Sequence, residues 1–394
     1  MARAGLLFAG SLAPCTAACT GGAMPPACAL DLRDSMPAEA PIGGPWGEPS
    51  MRFVVLGDAG TGYPAQAEVG AALRDYCEAV GDCELALYLG DNIYWSGLSG
   101  DPEERAAQLE ARFYAPYAGL DLPFYVVVGN HDHGLLGLSL GHALGASDAF
   151  ETALLQVGMG RPGEDELARC ALGARGRSAA AWCMPALDYA VDTRLAGFIA
   201  LDTTPLLWDR PGWRLAAKTV TGRRYLHQLA QRPWRFLYTH HPLRSIGKHG
   251  EAGAYAWIEG YDEGRRIRTL YERLGPEVDV IFNGHDHHLE LRPKREGCVE
   301  PATVVSGAGG KTSALARDPA EVERVGGAAL ERPGFFAVRL DEHQLEIELR
   351  TVEAGASVAR SIWCAEKHTP GGAASWRRGA CAEARAGSDL RPRP

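Results

Sequence analysis

Residues 51–60 read MRFVVLGDAG and join an unbroken apolar run to a Gly-Asp turn. An apolar run of this length is typical of a strand that is buried on both faces. The next segment, 65–80, places apolar residues at helical spacing, and apolar runs return at 84–90 (ELALYLG) and 123–129 (PFYVVVG). This β-α-β-α-β order predicts a largely parallel sheet with right-handed crossovers.

The later apolar segments predict a second sheet. Residues 186–203 look like a hairpin, because two apolar runs flank a polar turn. Further strands are predicted within 234–242, 278–288, 302–310, 334–340 and 344–352. We assign the last three of these runs to the second sheet. The sequence therefore predicts an α/β fold with two mainly mixed β-sheets, packed as a sandwich and flanked by helices.

The charge balance limits the class of partner. The formal net charge of the 394 residues is -9, whereas a general nucleic-acid-binding surface would be basic. We therefore expect no nucleic-acid partner. A small anionic substrate is still compatible with this charge, because bound metal ions can make a site locally positive. Oligomeric state cannot be read from the sequence.

The first 22 residues, MARAGLLFAGSLAPCTAACTGG, predict a signal peptide or a lipoprotein signal. They contain one Arg, a short apolar run and then small residues with Cys15 and Cys19, either of which is a candidate for lipidation. We expect an exported protein, which is periplasmic, secreted, or an outer-membrane lipoprotein attached to the membrane through an N-terminal lipid.

Composition divides the rest of the chain into three parts. Residues 23–50 are rich in Pro, Gly and Ala and predict a linker. We predict one large catalytic domain at 51–355, with an insertion at 134–185 that is rich in Gly and Ala. Residues 366–394 are expected to form a low-complexity C-terminal tail.

Ten cysteines occur, and no CxxC motif is present, so a zinc ribbon is not predicted. Cys77 with Cys83, and Cys170 with Cys183, are close enough in sequence for short disulfide loops in an oxidising compartment. Scattered free thiols are the alternative.

Polar side chains follow five of the predicted strands, at the point where each strand ends. They are Asp58, Asp91 with Tyr94, Asn130 with His131, His240 with His241, and His285 with His287. Each has an ordinary explanation when taken alone, as a turn residue, a helix cap or a packed ring. Together they predict a metal centre at the carboxyl ends of the strands, and the preceding glycines allow sharp turns and close backbone approach.

These segments resemble a known family. GDAG, GDNIY, GNHD, a His before Pro242 and GHDH resemble the five blocks of the calcineurin-like metallophosphoesterases. The tyrosine block is similar to that of the purple acid phosphatases. GDNIYWSG, PFYVVVGNHDH, HHPLRSIGKHGE, NGHDHHLEL and VVSGAGG resemble the small, tartrate-resistant type. The resemblance runs from about residue 52 to 350 and implies the four-layer αββα metallophosphoesterase fold.

The resemblance implies two metal sites that share one carboxylate. The first would be formed by Asp58, Asp91, Tyr94 and His287, and the second by Asp91, Asn130, His240 and His285. We choose His240 because the ligand of the family stands two residues before the proline. The neighbouring His241 departs from the family pattern and leaves some ambiguity.

The resemblance also implies roles for residues that do not bind metal. His131 and His249 match the family's histidines near the leaving group, and His131 would protonate the departing alkoxide, assisted or replaced by His249. Asp132 could orient the imidazole of His131, and a turn-forming aspartate is the alternative.

Tyr94 restricts the choice of metal. A phenolate is a hard oxygen donor that a trivalent ion stabilises far better than a divalent ion does, which indicates Fe(III). The second site suits Fe(II), Zn(II) or Mn(II), and the sequence does not decide among them.

The resemblance implies a dinuclear acid phosphatase that hydrolyses phosphomonoesters by in-line attack of hydroxide generated at the metals, with an acidic optimum. A Mn- or Zn-dependent phosphodiesterase or nucleotidase of the same superfamily is one alternative. A non-catalytic exported surface protein is the other.

Overall fold

The structure is a computed structural model. It describes residues 37–381 apart from 39, 44–47, 82, 135–151, 160–169, 171–179, 209–211, 251, 253–263 and 370–371. The strands are β1 (Ile42–Gly43), β2 (Ser50–Leu56), β3 (Leu85–Leu89), β4 (Pro123–Val127), β5 (Ala181–Cys183), β6 (Tyr189–Asp192), β7 (Ala196–Ala200), β8 (Trp234–Tyr238), β9 (Val280–Asn283), β10 (Leu289–Arg292), β11 (Ala302–Ser306), β12 (Ala328–Leu330), β13 (Gly334–Asp341), β14 (Gln344–Glu353), β15 (Ala356–Lys367) and β16 (Ala374–Arg378). The α-helices are α1 (Pro64–Ala79), α2 (Pro102–Leu109), α3 (Trp213–Gln228), α4 (Arg265–Leu274) and α5 (Ala320–Glu323).

Two sheets of eight strands each form the described part of the fold. The first sheet has the order β16-β15-β14-β13-β2-β3-β4-β5, and the second has the order β1-β6-β7-β8-β9-β11-β10-β12. Parallel and antiparallel pairs occur in both sheets. The predicted α/β sandwich of two mixed sheets is therefore confirmed, and so is the antiparallel β6–β7 hairpin.

The assignment of the late strands to the second sheet was right for β11 and wrong for the other two. β13 and β14 lie in the first sheet, not the second, and β13 pairs antiparallel with β2 along six residues. The first sheet is thus parallel only from β2 to β5. The physical reason is that β2 pairs with β3 along one edge only, so its other edge needs a partner for its backbone groups. A sequence pattern does not show which distant strand supplies that partner.

Aromatic side chains from both sheets fill the space between them. The ring of Phe53 on β2 lies 5.2 Å from Phe198, 5.7 Å from Phe236 and 6.0 Å from Phe282, between ring centroids. All four rings are fully buried, in contacts that range from tilted to edge-to-face. This packing joins the two sheets into one core and fixes the ends of β2, β8 and β9 relative to one another.

Disulfides join segments in and next to the first sheet. The predicted pairs Cys77–Cys83 and Cys170–Cys183 are confirmed, and a third bond, Cys364–Cys381, was not predicted. Cys298 is free. The third disulfide closes the edge formed by β15 and β16, so the segment that we predicted as the start of a low-complexity tail is instead an edge strand. Residues 382–394 lie outside the described part.

The predicted N-terminal features fall largely outside the described residues. The signal at 1–22, with Cys15 and Cys19, is entirely outside them. Within the predicted linker, β1 pairs with β6. Most of the predicted insertion at 134–185 is also outside, but its end forms β5 at the edge of the first sheet. Among the helices that the structure describes, none is long and apolar enough to cross a membrane.

Candidate metal centre

The predicted site residues converge where strands of both sheets end. Asp58, Asp91 and Asn130 follow β2, β3 and β4, while His240 and His285 follow β8 and β9. Their side chains are buried, with at most 4% of the residue exposed. The two sheets are joined face to face, so these strand ends meet at one rim.

Three of these residues have left-handed backbone conformations that non-glycine residues seldom adopt. The φ angles are 54° at Asp58, 53° at Asp91 and 72° at His285. Such backbone costs of order 1–3 kcal/mol per residue and is concentrated at functional sites. This backbone conformation directs each side chain into the site directly after its strand. Its cost in stability is consistent with a functional role for these three residues.

The glycine beside each turn is required by close contact. A Cβ atom at Gly129 would lie 2.3 Å from Oδ1 of Asp91, and one at Gly284 would lie 2.5 Å from Oδ2 of Asp58. Both distances are well inside van der Waals contact. The sequence-based interpretation of these glycines as points of close approach is confirmed.

The residues predicted for the first metal form one cluster. The Tyr94 hydroxyl donates to Oδ2 of Asp91 at 2.9 Å and to Oδ1 of Asp58 at 3.2 Å. Nε2 of His287 lies 3.3 Å from the same hydroxyl and 3.5 Å from Oδ1 of Asp58. The phenol oxygen of Tyr94 therefore points at the donor atoms of the other three residues and away from the core.

The residues predicted for the second metal form an adjoining cluster. Nε2 of His240 lies 3.0 Å from Oδ1 of Asn130, 3.1 Å from Nδ1 of His285 and 3.4 Å from Oδ1 of Asp91. Asp91 thus directs one carboxylate oxygen at each cluster. This is the arrangement that a bridging ligand requires.

These donor sets fit two metal ions. In the second cluster an amide oxygen and two imidazole nitrogens face one another, and a shared cation satisfies such converging lone pairs well. In the first cluster, burial and the carboxylates of Asp91 and Asp58 raise the pKa of the Tyr94 phenol well above its usual value. A phenolate at this position therefore needs a highly charged cation beside it, which agrees with the prediction of a trivalent ion.

The geometry distinguishes His240 from His241. Nδ1 of His240 lies 2.8 Å from the carbonyl oxygen of Leu89, which orients the ring so that Nε2 points at the second cluster. Nδ1 of His241 lies 2.8 Å from Oγ1 of Thr203, and no atom of the described part of the chain forms a hydrogen bond with its buried Nε2. One ring nitrogen of His241 is within 4.8 Å of those of His240 and His285. His240 therefore has the geometry of a ligand, and His241 stands beside it.

A supporting residue was missed from the sequence. Oγ of Ser313 lies 3.0 Å from Nδ1 of His287, so it orients the ring that reaches the first cluster. Groups that orient metal-binding imidazoles in this way are a regular part of metal sites. The backbone N–H of Ser313 also donates to the carbonyl of His287, at 2.9 Å. Serine is common in loops, so the sequence alone does not indicate that Ser313 orients the His287 ring.

His131 lies at the edge of the first cluster. Its ring centroid is 4.6 Å from that of Tyr94, and its Nε2 is 3.9 Å from Oδ2 of Asp91. Its Nδ1 lies 2.9 Å from the carbonyl oxygen of Trp95. A backbone carbonyl therefore orients this imidazole and leaves Nε2 directed at the predicted reaction site.

Of the two roles considered for Asp132, its contacts support the turn-forming one and not the orientation of the His131 imidazole. Its carboxylate accepts hydrogen bonds from the backbone N–H groups of Asn92, Ile93 and Gly129 and from the side chain of Gln156. Four donors hold this buried carboxylate, so it joins the turn after β3 to the turn after β4. Asp132 fixes the positions of Asp91 and His131 through the backbone, and the imidazole is oriented by the Trp95 carbonyl.

His249 faces the second cluster. Its ring centroid is 4.5 Å from that of His285, and its backbone N–H donates to Oδ1 of Asp286 at 2.8 Å. Burial lowers the pKa of His249 to about 4, against the opposing charge of Asp286. Its imidazole is accordingly neutral near pH 7, which suits it to hydrogen bonding more than to proton donation.

A lysine was also missed. Nζ of Lys311 lies 3.6 Å from the centroid of the Tyr94 ring and 4.5 Å from that of Trp95. Burial lowers the pKa of this ammonium, and the carboxylates of Asp91 and Asp58 act against that shift. Lys311 thus places a cation beside Tyr94 and Trp95, and none of the recognised motifs contains this lysine.

Comparison with known families agrees with this geometry. Residues 51–289 match the model of the calcineurin-like phosphoesterase family. Purple acid phosphatase 17 of Arabidopsis thaliana is 26% identical over 285 residues, which are 66% of this chain and 69% of that protein. Tartrate-resistant acid phosphatase type 5 of Oryctolagus cuniculus is 25% identical over 292 residues, which are 67% of this chain and 75% of that protein.

Solved structures share the fold. GAP50, described as the anchor in the inner membrane complex of Plasmodium, superimposes with a TM-score of 0.55 and 16% identity over 78% of this chain and 87% of that one. The purple acid phosphatase PPD1 from seeds of yellow lupin, Lupinus luteus, gives a TM-score of 0.50 and 17% identity over 82% of this chain and 55% of that one. At these identities, the likeness shows the fold alone.

Proposed function

Because this chain belongs to the calcineurin-like phosphoesterase family, we propose that it is a dinuclear acid phosphatase that hydrolyses phosphomonoesters. The observation that carries the proposal is the position of the Tyr94 hydroxyl, within 3.3 Å of donor atoms of Asp58, Asp91 and His287. A two-metal hydrolase that uses only divalent ions does not need a phenolate. The similarity to purple acid phosphatases supports the same function.

The metals would be Fe(III) in the first cluster and Fe(II), Zn(II) or Mn(II) in the second. Metal ions held by these residues would bind phosphoryl oxygens and supply a nucleophile from water near neutral pH. Since a trivalent ion acidifies water more strongly than a divalent one, we expect an acidic optimum.

The protein's own residues position the reactants and handle the proton. Asp91 bridges the two clusters and also accepts the backbone N–H of His131 at 2.9 Å, which links the metal centre to the proton donor. With Nδ1 held by the Trp95 carbonyl, Nε2 of His131 donates the proton to the departing alkoxide. His249 contributes a hydrogen bond on the side of the second cluster. Asp132 holds the turn after β3 against the turn after β4.

Two other functions remain as alternatives. A phosphodiesterase or nucleotidase with Mn or Zn would use the same fold, and Tyr94 is the feature that disfavours it. A non-catalytic exported protein is the second alternative. Every predicted ligand position here is filled, which favours an enzyme. Export through the N-terminal signal stays a prediction.

Metal reconstitution tests the proposal. The purified protein is stripped with chelator and reloaded with iron plus zinc, with zinc alone or with manganese alone. Each form is then assayed on 4-nitrophenyl phosphate and bis(4-nitrophenyl) phosphate. We expect the iron-containing form to prefer the monoester and to work fastest at acidic pH. Full activity with manganese or zinc alone, together with a preference for the diester, would support the phosphodiesterase instead.

A further inference from the structure

A cavity lies beside strands β10 and β11, outside the metal centre. Its volume is about 320 Å³, which is within the range of small-molecule sites. None of the predicted metal ligands lines it, and two glutamates, Glu300 and Glu321, do. We call it the cationic cavity, because five positively charged side chains line it: Arg244, Arg292, Lys294, Arg295 and Arg317.

Buried groups hold the wall of the cationic cavity at Arg292. Nε of Arg292 donates to Oε1 of Glu290 at 2.6 Å, and Glu290 is only 1% exposed. The other oxygen of Glu290 lies 2.9 Å from Nε2 of His288 and accepts the backbone N–H of Ile246 at 3.0 Å. Within the described part of the chain, the remaining guanidinium nitrogens of Arg292 donate no hydrogen bond. They are therefore available to a ligand, on a side chain that is already fixed in place.

Two further arginines of the cavity are paired with the glutamates that line it. Nη2 of Arg244 lies 2.8 Å from Oε1 of Glu300, and Nη1 of Arg317 lies 3.6 Å from Oε2 of Glu321. The four side chains are 35–42% exposed. Ion pairs that are exposed to this degree contribute little to stability. A ligand with several negative charges can therefore replace these glutamates.

The remaining two cations have no carboxylate to balance them. Neither Lys294 nor Arg295 forms an ion pair or a side-chain hydrogen bond with any residue that the structure describes. Arg295 lies in a tight turn, because its carbonyl accepts the backbone N–H of Cys298 at 3.1 Å. The other three cations each have a carboxylate partner, so the cavity carries an excess of two positive charges.

We propose that the cationic cavity binds a small organic anion with at least two carboxylate or phosphate groups. Four of its five cations are guanidinium groups, whose planar forks form paired hydrogen bonds with both kinds of anion. One negative charge would leave part of the excess unbalanced, whereas two or more would match it. The inference does not depend on the proposed function, since the cavity contains none of the predicted metal ligands.

Cys298 provides a reporter inside the cavity. It lines the cavity and belongs to none of the three disulfides. The full-length, metal-loaded protein is treated with iodoacetamide, a neutral reagent, and alkylation of Cys298 is followed by peptide mass spectrometry. The two probes are benzene-1,3,5-tricarboxylate and propane-1,3-diphosphonate, with benzoate at equal ionic strength as the singly charged control. We expect at least one probe to slow alkylation in a saturable manner, and benzoate to have no such effect.

Substitution of the two unbalanced cations tests the assignment of the site. In the double variant Lys294→Gln/Arg295→Gln, the dissociation constant of the bound probe should rise about 10- to 100-fold, the size expected for lost hydrogen bonds between charged groups. The matched control is Arg223→Gln/Arg339→Gln, which removes two exposed cations outside the cavity and should leave the dissociation constant unchanged.

Calorimetric titration of the same proteins gives the dissociation constants without use of the thiol. Protection by the tricarboxylate alone would identify a carboxylate ligand, and protection by the diphosphonate alone would identify a phosphate ligand. Either result, with the expected loss in the double variant, supports the inference. Absence of binding by both probes, equal protection by benzoate, or equal affinity in the double variant would overturn it.

Discussion

Replacement of Asp91 by alanine is expected to remove both metals and to abolish hydrolysis. Its Oδ2 faces the Tyr94 hydroxyl at 2.9 Å, and its Oδ1 faces Nε2 of His240 at 3.4 Å, so one carboxylate serves both clusters. Oδ1 also accepts the backbone N–H of His131. The substitution therefore removes the bridge and releases the turn that carries the proton donor. We expect kcat/KM to fall by at least about 10³-fold, since single fixed electrostatic groups contribute 10²–10³-fold.

Metal analysis by mass spectrometry, together with the assay on 4-nitrophenyl phosphate, measures both effects. Asp75→Ala is the matched control, because Asp75 is an exposed aspartate on α1 whose side chain belongs to neither cluster. The control should keep both metals and full activity. Two metals per chain in Asp91→Ala would refute the bridging role.

Replacement of His131 by alanine is expected to slow poor leaving groups far more than good ones. An alkyl phosphate such as glycerol phosphate needs a proton on its departing oxygen, whereas 4-nitrophenolate leaves readily without one. Because Nε2 of His131 points at the predicted reaction site, we expect about 10²–10⁴-fold loss for the alkyl substrate and a much smaller loss for the aryl substrate.

A series of substrates with increasing leaving-group pKa separates this role from a structural one. In the wild type, kcat/KM should depend weakly on that pKa, and in His131→Ala the dependence should become steep. His227→Ala, an exposed histidine on α3, is the control and should leave the dependence unchanged. Equal losses on all substrates would remove His131 from the role of acid.

The strand-end residues could be predicted because their signal is local. Each predicted ligand lies within a few residues of an apolar run, and strand ends of an α/β sandwich gather at one rim. The close approach at the glycines could also be predicted. Gly129 and Gly284 leave room for carboxylate oxygens that a side chain would displace. Short-range pattern thus located the candidate residues, and the family resemblance supplied their predicted division between two metals.

The features that were missed depend on contacts between distant parts of the chain. Asp132 binds backbone groups 40 residues away, and nothing in the sequence GNHD distinguishes that use from contact with the adjacent histidine. Lys311 reaches Tyr94 only because the segment after β11 folds back against the turn at Asp58. The pairing of β13 with β2 and the Cys364–Cys381 bond are non-local for the same reason.

The central claim is that Tyr94 binds Fe(III) as a phenolate. The most direct test is a visible absorption spectrum of the purified protein, with metal content measured on the same sample and Tyr94→Phe beside it. We expect a purple wild type with a broad charge-transfer band in the middle of the visible range, iron in the sample, and loss of that band in Tyr94→Phe. A colourless wild type that holds two zinc or manganese ions, or a band that survives the substitution, would contradict it.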